Sequence, residues 1–159
     1  MISEIKIKRM IDKFFLFFGL ALLVGCAPSL KYEEKIDFGS EGWHKDSVAL
    51  FNVSVMDTSE VLTIGLTLQH GKKYPFSNVW LFLTVEDESG VAIRDTLEFF
   101  VARPNGNWLG KKRDGGYEVS AIYKQGIRMS HPGTYQFSLI QGMRVDLLKE
   151  INSLELWIQ

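Results

Sequence analysis

Leu62-Thr63-Ile64-Gly65-Leu66-Thr67-Leu68-Gln69 carries an apolar side chain at every second place. Leu62, Ile64, Leu66 and Leu68 fall on one side, and Thr63, Thr67 and Gln69 on the other. A period of two belongs to a strand whose one face is buried and whose other face meets water. A helix would return its apolar residues every three or four places, and this stretch does not.

The same period runs outward in both directions. Upstream, Ala49, Phe51, Val53 and Val55 alternate. Downstream, Val79, Leu81, Leu83 and Val85 do so, with Trp80 and Phe82 on the opposite face. Val91, Ile93, Leu97, Phe99 and Val101 share a side that Asp95 interrupts. Tyr117, Val119, Ala121 and Tyr123 follow, then Tyr135, Phe137, Leu139 and Gln141, and finally Leu154, Leu156 and Ile158. This makes seven strands, or eight if part of 30–38 pairs at an edge. Arg144 to Ile151 reads as a short helix or helical turn.

Turn chemistry separates the strands. Glu88-Ser89-Gly90 suits a hairpin, because glycine reaches positive φ at little cost. Pro104-Asn105-Gly106-Asn107 and His131-Pro132-Gly133 are further breaks. Short strands at regular spacing predict an all-β fold: an antiparallel β-sandwich of jelly-roll or immunoglobulin-like type. The connectivity is open at this point.

The N-terminal segment has a different character. Residues 1–13 carry Lys6, Lys8, Arg9 and Lys13 against Glu4 and Asp12. Residues 14–25 contain no charge. As a helix they would cover about 18 Å, short of a hydrocarbon core of about 30 Å. A basic head and a short apolar run describe a secretory signal peptide. Leu23-Val24-Gly25-Cys26 then resembles a bacterial lipobox, and Cys26 is the single cysteine of the chain. The resemblance implies a diacylglycerol thioether on Cys26, cleavage before it, and N-acylation of the new amino group. Acyl burial contributes about 0.8 kcal/mol per CH₂, so two or more chains hold stably. The expected organisation is a signal peptide over 1–25, a lipidated tether over 26–40 and a β-sandwich domain over 41–159. No aspartate follows Cys26, so the inner-membrane retention signal known from enterobacteria is absent, which favours the outer membrane. Lys31-Tyr32-Glu33-Glu34 near the anchor resembles the acidic surface-export signals of Bacteroidetes, but reads more simply as a solvated tether, so the periplasm-facing side is expected over the cell surface.

Without the signal, the basic side chains fall from 18 to 14 and the acidic ones from 19 to 17, giving −3. No basic patch stands out, so nucleic acid is not an expected partner. His44, His70 and His131 lack metal-ligand spacing, and no nucleophile elbow, phosphate loop or dinucleotide fingerprint occurs. The reading is of a non-enzyme without catalytic residues, metal or cofactor beyond its lipid. Glu86-Asp87-Glu88 reads as a solvated hairpin tip. Of the tryptophans, Trp80 and Trp157 are expected in the core or at its rim. Trp43 and Trp108, with Lys111, Lys112 and Arg113, are the candidate contact surface.

Four stretches carry a resemblance. They are Gly42-Trp43-His44-Lys45-Asp46; Tyr74-Pro75-Phe76-Ser77-Asn78-Val79; Asp95-Thr96-Leu97 with Pro104-Asn105-Gly106-Asn107-Trp108-Leu109-Gly110-Lys111; and Gly133-Thr134-Tyr135 with Gln141-Gly142-Met143-Arg144. Behind a lipobox, in this order and spacing, they resemble the gliding-motility lipoprotein GldH family of the Bacteroidetes. Lys111-Lys112-Arg113 is more basic than the glycine-rich continuation associated with that family. The resemblance implies an envelope lipoprotein needed for gliding and the type IX secretion apparatus, with other envelope proteins as partners and no active site. The alternative is a β-sandwich lipoprotein that binds glycan or peptidoglycan through exposed tryptophans.

Overall fold

The computed structural model describes residues 30–90 and 92–159. Among these, all regular structure is β. In chain order the strands are β1 (Tyr32–Asp37), β2 (Trp43–His44), β3 (Ala49–Val55), β4 (Leu62–Gly71), β5 (Asn78–Glu86), β6 (Ala92–Phe100), β7 (Lys111–Arg113), β8 (Gly116–Ile127), β9 (Gly133–Gln141), β10 (Leu147–Leu148) and β11 (Ile151–Ile158). The eight longer strands are the seven expected ones and the edge strand expected within 30–38. β1 lies inside the span read as tether and pairs with β11 from Tyr32↔Ile158 to Asp37↔Ser153, so the sheet starts before residue 41.

One sheet has the order β1-β11-β4-β8-β7 and the other β3-β9-β5-β6. Every ladder is antiparallel. The pairing is nested. The first long strand pairs with the last (β1 with β11), the second with the seventh (β3 with β9), the third with the sixth (β4 with β8), and the middle two form the hairpin β5–β6. A long hairpin rolled up in this way is a jelly roll, which decides the alternative left open by the alternation.

The buried faces meet in one cluster. Phe51, Val53, Leu81, Leu83, Phe137 and Leu139 come from one sheet; Ile64, Leu66, Leu68, Leu154, Leu156 and Ile158 come from the other. The opening stretch supplies the centre of the second sheet, with Leu62, Ile64, Leu66 and Leu68 all buried. Gly65 sits among them because a side chain there would strike the indole of Trp157, whose Cζ2 lies 2.0 Å from the Cβ position.

Arg144 to Ile151 is not helical. Its Leu147 and Leu148 pair with His44 and Trp43 as a two-stranded sheet, β10–β2. Glu150 follows at φ 67°, and Leu148 and Ile151 turn into the core. Three apolar anchors at Val145, Leu148 and Ile151 imitate a helical spacing, but tertiary pairing with β2 takes the backbone.

Candidate functional site

The residues singled out from sequence separate in the fold. Cys26 lies outside the described residues. Trp43 is 0% exposed, which corrects its assignment to a contact surface. Its ring stacks on Phe38 with centroids 4.4 Å apart, and its Nε1–H donates to Ser47 O at 2.8 Å. A buried indole with its N–H satisfied is a core residue.

Trp108 is half-buried and leans inward against His70, with ring centroids 4.6 Å apart. Tyr74 and Tyr117 complete an aromatic enclosure around that imidazole. His70 Nδ1–H donates to Gly71 O at 2.9 Å, while its Nε2 is buried without a hydrogen-bond partner. Burial holds the imidazole below its ordinary pKa. Gly110 ends the Trp108 loop at φ 75°, its Cβ position only 2.0 Å from Glu118 O, so glycine is what lets the loop lie on β8.

Lys111, Lys112 and Arg113 form β7, a short exposed edge strand. Arg113 Nη2 donates to Glu118 Oε1 at 2.9 Å, and that contact holds Glu118 below the usual carboxylate range. Lys111 and Lys112 are exposed and in no salt bridge among the described residues, though Lys111 lies across the ladder from Glu118 and adds to its lowering. Trp108 and the basic strand are therefore neighbours, the ring partly exposed and the strand fully so.

A surface hollow lies elsewhere, on the outer face of the β3-β9-β5-β6 sheet. It is a groove of about 550 Å³. Trp80 and Phe82 form its floor at 38% and 47% exposure, which corrects the expectation of Trp80 in the core or at its rim. Val79, Leu81 and Leu83 already fill the inner face of β5, so the even-numbered rings must point out. The sequence shows this signal directly: β5 is apolar on both faces, and one of them has to face water.

Three of the quoted stretches line this groove. The first contributes Phe76 and Asn78, the second Gly142, Met143 and Arg144, and the third Thr96. Tyr74 braces the first, its hydroxyl donating to Asn78 O at 2.9 Å. Buried Gln141 braces the second: its Nε2 donates to Val145 O at 2.9 Å, and its Oε1 accepts from Met143 N–H at 2.8 Å. Gly142 N–H donates to Trp80 O at 2.7 Å, and a side chain there would press on the Phe82 ring at 2.9 Å. Arg144 stands exposed at the rim and has no ion pair among the described residues. Flat apolar rings with a few polar groups and one free guanidinium suit recognition of another surface.

The histidines meet different neighbours. His44 Nδ1 accepts from Asp46 N–H at 3.2 Å in a local turn. His131 shares a hollow of about 250 Å³ with the Asp87–Glu88 turn. There Glu88 Oε1 accepts from Thr134 N–H at 2.9 Å, and the Tyr135 hydroxyl both accepts from His131 N–H and donates to His131 O. These bonds hold two turns together. Among the described residues no group of three or more His, Cys, Asp or Glu is gathered for a metal ion.

The fold and this surface define a class: a jelly-roll domain that presents an aromatic face. Residues 31–158 match the family model of the GldH lipoprotein, and the chain belongs to the GldH lipoprotein family. It is 31% identical over 129 residues to the gliding motility lipoprotein GldH of Flavobacterium johnsoniae, spanning 81% of this chain and 79% of that protein. It is 29% identical over 145 residues to a GldH homolog of Christiangramia forsetii, spanning 89% and 88%. Among solved structures, an endo-1,4-β-D-xylanase of Clostridium thermocellum, with its carbohydrate-binding module and xylohexaose, aligns at TM-score 0.36 and 11% identity. The alignment covers 84% of this chain and 29% of that one, and likeness at that level carries no argument.

Proposed function

We propose that the protein is a non-catalytic component of the gliding motility and type IX secretion machinery, anchored through lipid on Cys26 to the periplasmic side of the outer membrane. The relatives named for gliding motility, matched over 89% and 81% of this chain, support the process. The lipobox supports the anchor. The observation that carries the docking role is the aromatic groove, where two braced loops hold Trp80 and Phe82 in solvent. Exposed rings cost solubility, and a contiguous apolar patch of this kind marks a contact site. Partner proteins dock there, with Arg144 setting polarity at the rim.

Deletion of the gene in the host tests the reading, scored by colony spreading and by secreted-protein profile. Loss of either, restored by the wild-type chain and not by Trp80→Ala/Phe82→Ala, supports it. Unchanged spreading and secretion reject it. A glycan-binding module is the second reading, favoured by the same rings beside Asn78, Thr96 and Arg144. Retention of the purified protein on peptidoglycan or on a polysaccharide array, lost in Trp80→Ala, would select it.

A further inference from the structure

The outer edge of β6 is nine residues long, from Ala92 to Phe100, and among the described residues no strand other than β5 pairs with it. Which backbone groups it offers follows from the ladder. Gly142 N–H donates to Trp80 O, and Val101 N–H donates to Ser77 O. In an antiparallel ladder each residue turns both backbone groups toward one neighbour, and consecutive residues alternate. Trp80 faces β9, so Val79, Leu81, Leu83 and Val85 face β6, where they meet Phe99, Leu97, Asp95 and Ile93. The alternate residues Arg94, Thr96 and Glu98 therefore turn N–H and C=O outward, away from the sheet.

Their side chains also share one face, the outer one, and all three are exposed. Arg94 has no ion pair among the described residues, and neither has Glu98, which accepts only the Asn78 amide at 2.5 Å. The two charges lie symmetrically about Thr96. Asp95, the inward charge that would oppose a strand at this edge, is already engaged by Tyr123 and Lys124.

We infer that the occupant of this edge is a second copy of the chain, paired antiparallel through β6 about a two-fold axis at Thr96. Thr96 then meets Thr96 of the second copy, and Arg94 meets its Glu98 twice over. The outward-turned backbone groups of 94, 96 and 98 complete the ladder. Centring the axis on Arg94 or on Glu98 would set like charges opposite each other, which is unfavourable. An isologous two-fold contact requires a self-complementary patch of this kind. The anchored end of the chain does not obstruct it, because β1 lies at the far edge of its sheet from β8 and β7. The pairing joins the two outer faces into one eight-stranded surface and places both aromatic grooves on the same side. It deepens the assembly reading, on which its biological meaning rests.

The full-length lipoprotein, solubilised in detergent from host membranes, tests it alone. Light scattering after size-exclusion chromatography should give twice the chain mass. Arg94→Glu should weaken the dimer about tenfold, since it turns two attractive cross-strand pairs into repulsive ones. Arg94→Glu/Glu98→Arg should restore it. In isolated membranes under oxidant, Thr96→Cys should crosslink to itself across the axis, where paired Cα atoms about 5.5 Å apart permit a disulfide. Wild type and Ser54→Cys, on the other edge of that sheet, should not. A monomer at all concentrations overturns the inference, as does a dimer indifferent to Arg94→Glu. A Thr96→Cys crosslink only to another polypeptide also overturns self-pairing while leaving the assembly reading intact, whose own test is the deletion strain.

Discussion

The Tyr123 hydroxyl donates to Asp95 Oδ2 at 2.5 Å, tying β8 of one sheet to β6 of the other. Lys124 Nζ stands 3.4 Å from the same carboxylate oxygen. This tie crosses the side of the sandwich where both sheets run out of paired strand. Burial, then the bond to Asp95, raises the Tyr123 phenol well above its ordinary pKa. The Tyr123 bond and Lys124 together hold Asp95 below the usual carboxylate range. Tyr123→Phe keeps the ring and deletes the bond, so it should cost about 1 kcal/mol in urea unfolding. The lowered Asp95 pKa adds stability above its ordinary value, lost as pH falls through the acid range. In Asp95→Asn that part of the acid loss should vanish, and an unchanged profile would remove Asp95 from the account.

His70 gives a second dependence on pH. Its Nε2 is buried and bare, and its Nδ1–H is committed to Gly71 O. Desolvation lowers the pKa, against smaller raising effects from the Gly71 bond and from Glu150. The unfolded chain takes up a proton near pH 6.5 that the folded chain refuses. Stability should therefore be full above about pH 6.5 and decline below it. Thermal midpoints at pH 7.5 and 5.5 measure the slope. His70→Leu, which cannot take the proton, should flatten it; equal slopes in both proteins would contradict the burial argument.

Glycines in left-handed turns should differ by what a side chain would meet. Gly106 has φ 82° and open space around its Cβ position, whereas Gly110 has φ 75° and Glu118 O at 2.0 Å. Gly106→Ala should cost about 1 kcal/mol, the left-handed backbone penalty alone. Gly110→Ala adds a clash with backbone and should cost upwards of about 2 kcal/mol, freeing Trp108 from His70. Chemical denaturation of the two variants gives the comparison, and equal losses would contradict it.

The sheet-forming segments were legible because alternation reports burial on one face, and each of the long strands except β1 carried it. The jelly-roll order was not, since β1 finds β11 across the whole chain and no local pattern encodes that pairing. β10 was misread because Val145, Leu148 and Ile151 repeat at helical spacing. At the contact surface, the lone aromatics misled. Trp43 opens a strand of two residues and plunges inward, where Phe38 awaits it, and only tertiary structure shows that. Trp80 was the opposite case. The alternation already set it opposite Val79 and Leu81, which claim the inner face, and expecting a ring of that size in the core or at its rim set that signal aside.

The groove and the core should separate cleanly under substitution. Phe51 is fully buried in the central cluster, so Phe51→Ala loses transfer energy and leaves a cavity. It should cost about 3–5 kcal/mol. Phe82 is 47% exposed on the outer face, and truncating it should change stability by about 0.5 kcal/mol or less. Trp80→Ala belongs with Phe82→Ala on this scale, because its contacts with the Gly142-Met143 loop run through its backbone N–H and C=O. If the groove is where a partner docks, both outer-face variants should fold with near-native melting curves and still fail to restore spreading in a deletion strain. Phe51→Ala should fail by falling protein level instead. Measuring melting, abundance and spreading on the same three strains distinguishes the outcomes. Normal spreading in Trp80→Ala/Phe82→Ala would move the docking site off this face.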